Sequence, residues 1–214
     1  MSTWICKPLA LAAVLTLAGC DGGFDMALGA AGQDMARSAP ERVAVTGDAV
    51  VVSGPPGFCV DGSVTRDTGQ SAFVLLGSCA SISRDPAQPR PAVPGILTVS
   101  IGPPASAAVA EQVTSLDAYV RSDAGRAAMS RRGDAEDLVI LETLAVDGAL
   151  YIHARDTGSA GGAQIGDDYW RALMGVGGHL VTASVVSFPD QPMSRDVGFE
   201  LLDSLAARLR GVNT

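Results

Sequence analysis

Between residues 138 and 188 the chain twice spells strand, tight turn, strand. Leu138–Val146 and Ala149–Arg155 are rich in aliphatic and β-branched side chains and flank Asp147-Gly148. Asp-Gly supplies the positive φ angles that a two-residue hairpin turn needs. Tyr169–Met174 and His179–Phe188 flank Gly175-Val176-Gly177-Gly178 in the same way. Two hairpins of this kind commit much of the chain to antiparallel pairing, since parallel neighbours need a long crossover.

The remaining segments fit around that commitment. Val43–Ser53 reads as a strand with Gly47-Asp48 as a turn or bulge, and Phe58-Cys59-Val60 as a short extended piece after the Gly54-Pro55-Pro56-Gly57 break. Ala72–Ile82 and Ile96–Ile101 read as further strands, separated by a loop that holds Pro86, Pro89, Pro91 and Pro94. From Ala107 to Arg132, Val109, Val113, Leu116 and Val120 recur at helical spacing, with Ser115 and Ser122-Asp123 as candidate caps. The last segment is the clearest helix. Ser194 can cap it, Val197, Leu201, Leu205 and Leu209 form a stripe, and Arg208 and Arg210 suit the negative end of its dipole. The order predicts an α+β domain over 43–214, a mostly antiparallel sheet with helices packed on one face.

The first twenty residues, MSTWICKPLALAAVLTLAGC, follow a different logic. One positive charge, Lys7, precedes an apolar run from Leu9 to Gly19 that is too short to span a bilayer. The run ends in Leu17-Ala18-Gly19-Cys20, which resembles the lipobox of bacterial lipoproteins. Small side chains there admit the peptidase, and the thiol carries the lipid. The resemblance implies a signal peptide at 1–19, lipidation of Cys20 with palmitate among its acyl chains, and attachment to the cell envelope facing the periplasm. Asp21 resembles the signal that retains such proteins at the inner membrane. The alternative is an ordinary secretory signal that ends at a chance cysteine. Residues 20–42, poor in large apolar side chains, read as a flexible tether. Lys7 is the only lysine, so the exported chain carries none and has no Schiff-base chemistry.

Strands, helix, two hairpins and helix in that order also resemble the PsbP-like fold, over about residues 43–212. The closing hairpin and helix, Trp170 to Arg210, carry the likeness. That resemblance implies a binding or assembly role rather than an enzymatic one.

Charge narrows the partners. The 214-residue chain has 15 Lys and Arg against 23 Asp and Glu, a formal net charge of −8. Phosphate contacts need a basic surface, so nucleic acid is not an expected partner. The expected partners are the membrane, through Cys20, and an envelope protein.

Cys59 and Cys79 are the only cysteines beyond Cys20. Export places them in an oxidising compartment, which predicts a structural disulfide. A redox pair lacks the Cys-x-x-Cys spacing, and a metal site lacks a nearby histidine. The two histidines, His153 and His179, show no zinc spacing and read as surface residues. A Ser-His-Asp triad would need folding to assemble it, and no Gly-x-Ser-x-Gly elbow marks a nucleophile. Strand alternation puts Tyr151, His153 and Arg155 on one face, and Leu150, Ile152 and Ala154 on the other. Glu136-Asp137 and Asp167-Asp168 read as solvated turns. Gly158–Gly162 lacks the Lys of a phosphate loop. No catalytic residue, cofactor or metal ligand is predicted. Tyr169 and Trp170, with Phe188 ending the partner strand, read first as core beneath the C-terminal helix; the alternative makes Tyr151, His153, Arg155, Tyr169 and Trp170 a possible partner or ligand surface. The favoured function is a non-catalytic interaction or assembly factor. The alternatives are a small-ligand-binding lipoprotein or a hydrolase that uses His153 or His179.

Overall fold

The structure, a computed structural model, describes residues 39–105, 108–158 and 165–214. The expected signal peptide, Cys20, Asp21, nearly all of the expected tether and the glycine-rich residues 159–164 lie outside the described residues. The fold engages the chain from Pro40, whose carbonyl accepts a hydrogen bond from Val60 N–H at 2.8 Å.

The described residues form ten strands and four α-helices. They are β1 (Arg42–Val45), β2 (Val50–Ser53), β3 (Phe58–Val60), β4 (Arg66–Asp67), β5 (Ala72–Ser78), α1 (Cys79–Ser83) and β6 (Ile96–Pro104). After a 3₁₀ turn come α2 (Val113–Arg121) and α3 (Asp123–Met129), then β7 (Leu138–Val146), β8 (Ala149–Asp156), β9 (Asp168–Val176), β10 (His179–Val186) and α4 (Arg195–Gly211). This is an α+β fold on an antiparallel sheet, as predicted. β1 and β2 form a separate hairpin. The main sheet runs β3-β5-β6-β10-β9-β8-β7, with β4 beside β5.

Two meanders make that sheet. After β6 the chain crosses by α2 and α3 to the far edge, and β7 to β10 then return until β10 pairs with β6, Thr182 opposite Ser100. Both predicted hairpins form. Asp147 and Gly148 take φ of 49° and 71° between Val146 and Ala149. The second turn is tighter than the sequence suggested: Val176 pairs with His179, leaving only Gly177-Gly178 in the turn.

The helices do not share one face as expected. α4 buries Leu202, Leu205, Ala206 and Leu209 with Tyr151, Trp170 and Met174, and the β1–β2 hairpin closes this core with Val45, Val50 and Val52. α2 contributes Val120 to a second cluster with Leu138, Leu150, Ile152, Ala154 and Tyr169. Leu150 and Tyr151, like Tyr169 and Trp170, are adjacent in sequence and so point to opposite faces. The sheet is therefore covered on both sides along β8 and β9. β8 shows why: only Arg155 of its eight residues is exposed, the pattern of a strand buried on both faces.

Local differences have local causes. Residues 43–53 form a hairpin rather than one strand, because Thr46, Gly47 and Asp48 all take positive φ. The strand predicted over 72–82 stops at Ser78. Cys79 begins α1, whose first amides donate to the carbonyls of Gly57 and Pro89. The apolar stripe of α4 runs through Gly198, Leu202, Leu205 and Leu209, with Val197 and Leu201 half-buried at its margin. Ser194 caps α4 and Ser122 caps α3 as expected, whereas Ser115 lies inside α2.

Candidate functional site

β8 and β9 pair His153 with Trp170, so their rings stack at 4.7 Å between centroids and 4° between planes. Phe199 of α4 meets Trp170 edge-on at 5.2 Å, and Trp170 Nε1–H donates to the Arg195 carbonyl at 3.1 Å. Across the sheet, Glu142 sits opposite His153, with Oε1 3.8 Å from Nδ1. Arg195 closes the group with two hydrogen bonds of 2.6 Å to Glu142. That fork holds the Glu142 carboxyl below its ordinary pKa. Burial pushes the His153 imidazole down, against the pull of Asp168 and Glu142 and with the repulsion of Arg195 and Arg155. His153 is thus held neutral and packed, a wedge between sheet and helix rather than an exposed base.

The five residues of the possible partner surface therefore separate, and Trp170 takes the core place beneath the C-terminal helix that the first reading gave it. Tyr151 is fully buried; its hydroxyl donates to Asp203 at 2.8 Å, and burial raises its pKa to about 12. Trp170 is buried beneath α4. Tyr169 lies on the opposite face, under the Arg171 guanidinium at 4.9 Å. Arg155 alone is well exposed, and Asp168 neutralises it with bonds of 2.5 and 2.9 Å. Tyr151, His153 and Trp170 pack beneath α4, because α4 lies on the face that alternation alone marked as polar for Tyr151 and His153. His179, read as a surface residue, is buried too, and its Nδ1–H donates to the Gly102 carbonyl at 2.7 Å. Among the described residues, no group of three or more His, Cys, Asp or Glu is placed to hold a metal ion.

Cys59 and Cys79 form the predicted disulfide, with Cα atoms 4.8 Å apart and both side chains buried. It joins β3 to the start of α1. No described helix is long and apolar enough to cross a membrane.

Two features escaped sequence reasoning. The first is the edge formed by β7. No strand among the described residues pairs with its outer side, and Val139, Leu141 and Val146 are exposed at 53%, 43% and 36%. A register shift between Ile140 and Glu142 bulges Leu141 outward. Alternation marks the strand but cannot tell an edge from a centre.

The second is a cleft of about 1030 Å³ at the other end of the sheet, between α1, the proline-rich loop and the β3–β4 connection. Arg84 and Arg90 line it. Neither makes an ion pair or side-chain hydrogen bond among the described residues, and both are exposed. The loop that carries Arg90 is fixed from below. Gly57, at φ 84°, approaches so closely that a Cβ there would lie 2.5 Å from the Arg90 carbonyl carbon. The four prolines were legible only as a loop; the basic residues within and beside it carried no pattern. No family model, curated protein or solved structure matches this chain.

Proposed function

We propose that this protein is a lipid-anchored component of the bacterial cell envelope, held through Cys20 and facing the periplasm. Its domain acts without catalysis as an interaction or assembly factor. The lipobox resemblance at Leu17–Cys20 supports the anchor, and Asp21 favours the inner membrane. Two or three acyl chains, at about 0.8 kcal/mol per buried CH₂, give stable attachment.

The open edge of β7 carries the interaction reading. An unpaired edge offers a row of backbone donors and acceptors, and apolar side chains beside it reward a segment that pairs there. The occupant is an extended segment of an envelope protein, lying along Val139–Val146. A photo-crosslinker at position 141, followed by mass spectrometry, tests this. Amine-reactive reagents would miss the exported chain, whose side chains include no lysine. One dominant envelope partner, lost on Cys20→Ala and on Val139→Lys, is the expected result. Crosslinks that survive both substitutions unchanged would overturn it. Cys20→Ala should also release the protein from membranes or trap its precursor. The cleft beside Arg84 and Arg90 favours a second reading, a small-ligand-binding lipoprotein.

A further inference from the structure

We propose that the cleft between α1 and the proline-rich loop binds an anionic amphiphile, a molecule with a phosphate or carboxylate group on an apolar body. Arg84 and Arg90 supply the charge. The site is distinct from the β7 edge and does not depend on the partner reading.

Sign comes first. In a chain of net charge −8, the cleft's lining carries two arginines against one acidic residue, Asp61. Asp61 Oδ1 already accepts hydrogen bonds from Ser63 N and Oγ at 2.9 and 2.5 Å. The other arginines on this domain are mostly committed. Arg155 is paired with Asp168, Arg195 with Glu142, Arg121 with Asp117, and Arg126 with Asp123. Two guanidinium groups without a carboxylate partner, on one concavity, are an anion's complement, because the planar fork matches carboxylate and phosphate oxygens.

Shape and apolar lining give the rest of the ligand. Ile82, Ile96 and Phe188, all half-buried, also line the cleft. A volume of about 1030 Å³ lies at the upper end of the usual range for small-molecule sites, which combine apolar walls with a few polar groups. A bare inorganic anion would leave most of it unfilled.

Preorganisation makes the placement of both arginines specific. Arg84 follows α1 directly in a left-handed conformation, φ 58° and ψ 26°, which turns the chain out of the helix. α1 is itself held to β3 by the Cys59–Cys79 disulfide. Arg90 sits between Pro89, whose carbonyl accepts from Ala80 N–H at 3.1 Å, and Pro91. Prolines restrict the loop before any ligand arrives, which lowers the ordering cost of binding. The disulfide thus fixes one wall of the cleft as well as the fold.

Isothermal titration calorimetry on residues 21–214, with the disulfide formed, tests the proposal. The probes are octyl phosphate below its micelle concentration, octyl glucoside and inorganic phosphate. Octyl phosphate should bind at least tenfold more tightly than either of the others. Its Kd should rise at least tenfold in Arg84→Gln/Arg90→Gln, a pair of exposed residues whose change leaves the core intact. Phosphatidylglycerol and phosphatidylcholine vesicles identify the source. Binding to phosphatidylglycerol alone, lost in the double variant, marks a lipid headgroup. Binding of the free amphiphile without vesicle binding marks a soluble anion. Equal octyl phosphate affinity in parent and double variant, or no binding of any anionic probe, would overturn the assignment.

Discussion

Gly198→Ala sets two well-understood effects against each other. Gly198 lies in the second turn of α4, and in an isolated helix the change would stabilise by about 1 kcal/mol through lower backbone entropy. Here Gly198 faces Trp170, and an added Cβ would lie 2.7 Å from the indole Cδ1 and 3.2 Å from Nε1. The ring cannot retreat easily. His153 stacks on it, Phe199 meets it edge-on, and Nε1–H is tied to the Arg195 carbonyl. Overpacking of a close-packed core costs about 1–3 kcal/mol, and loss of that hydrogen bond adds about 1 kcal/mol. The net expectation is destabilisation by about 1–3 kcal/mol, a fall in Tm of roughly 2–4 °C per kcal/mol for a domain of this size. Urea unfolding of residues 21–214 followed by fluorescence reads it directly, because Trp170 is the only tryptophan beyond Trp4. Ser204→Ala, at an exposed position on the same helix, serves as the propensity control and should be neutral or slightly stabilising. If Gly198→Ala proves as stable as the parent, the close approach of α4 to β9 is wrong, and with it the burial of Trp170.

Replacing both Cys59 and Cys79 by Ser opens a loop with a sequence separation of 20 residues and should cost about 3 kcal/mol in the chain-entropy model. Thiol titration of unfolded residues 21–214 should find neither cysteine free; two reactive thiols would refute the bridge. The His153 imidazole has a depressed pKa in the folded state, so its contribution is intact above the unfolded value of about 6.5 and is lost as pH falls below it. His153→Gln should flatten the stability profile just below pH 6.5, and a profile of unchanged slope would count against the buried stack. A second loss, beginning below about pH 4.5, belongs to Glu142 and Asp168, whose pKa values are lowered by Arg195 and Arg155. It should persist in that variant.

The hairpins, the closing helix and the disulfide were legible because each depends on neighbours in sequence or on few alternatives. Asp147-Gly148 and Gly177-Gly178 dictate reversals through φ alone, and Ser194 caps α4 through a bond to Val197 three residues on. Cys59 and Cys79, the only cysteines beyond residue 20, have one partner each. The side on which a helix docks is not local. α2 and α4 cover opposite faces of β8 and β9, and this buries Tyr151 and half-buries His153, which alternation alone left on a polar face. The same long-range choice put β7 at an edge and exposed Val139 and Leu141, residues whose composition suits a strand centre equally well. Arg84 and Arg90 meet at one cleft only because α1 interrupts the strand predicted over 72–82 and Gly57 lets the proline loop lie against it. Turns, caps and the single possible cysteine pairing depend on short-range physics and are set by the sequence alone. Tertiary packing decided which surfaces remain for a partner or a ligand, because burial is a property of what arrives from elsewhere in the chain.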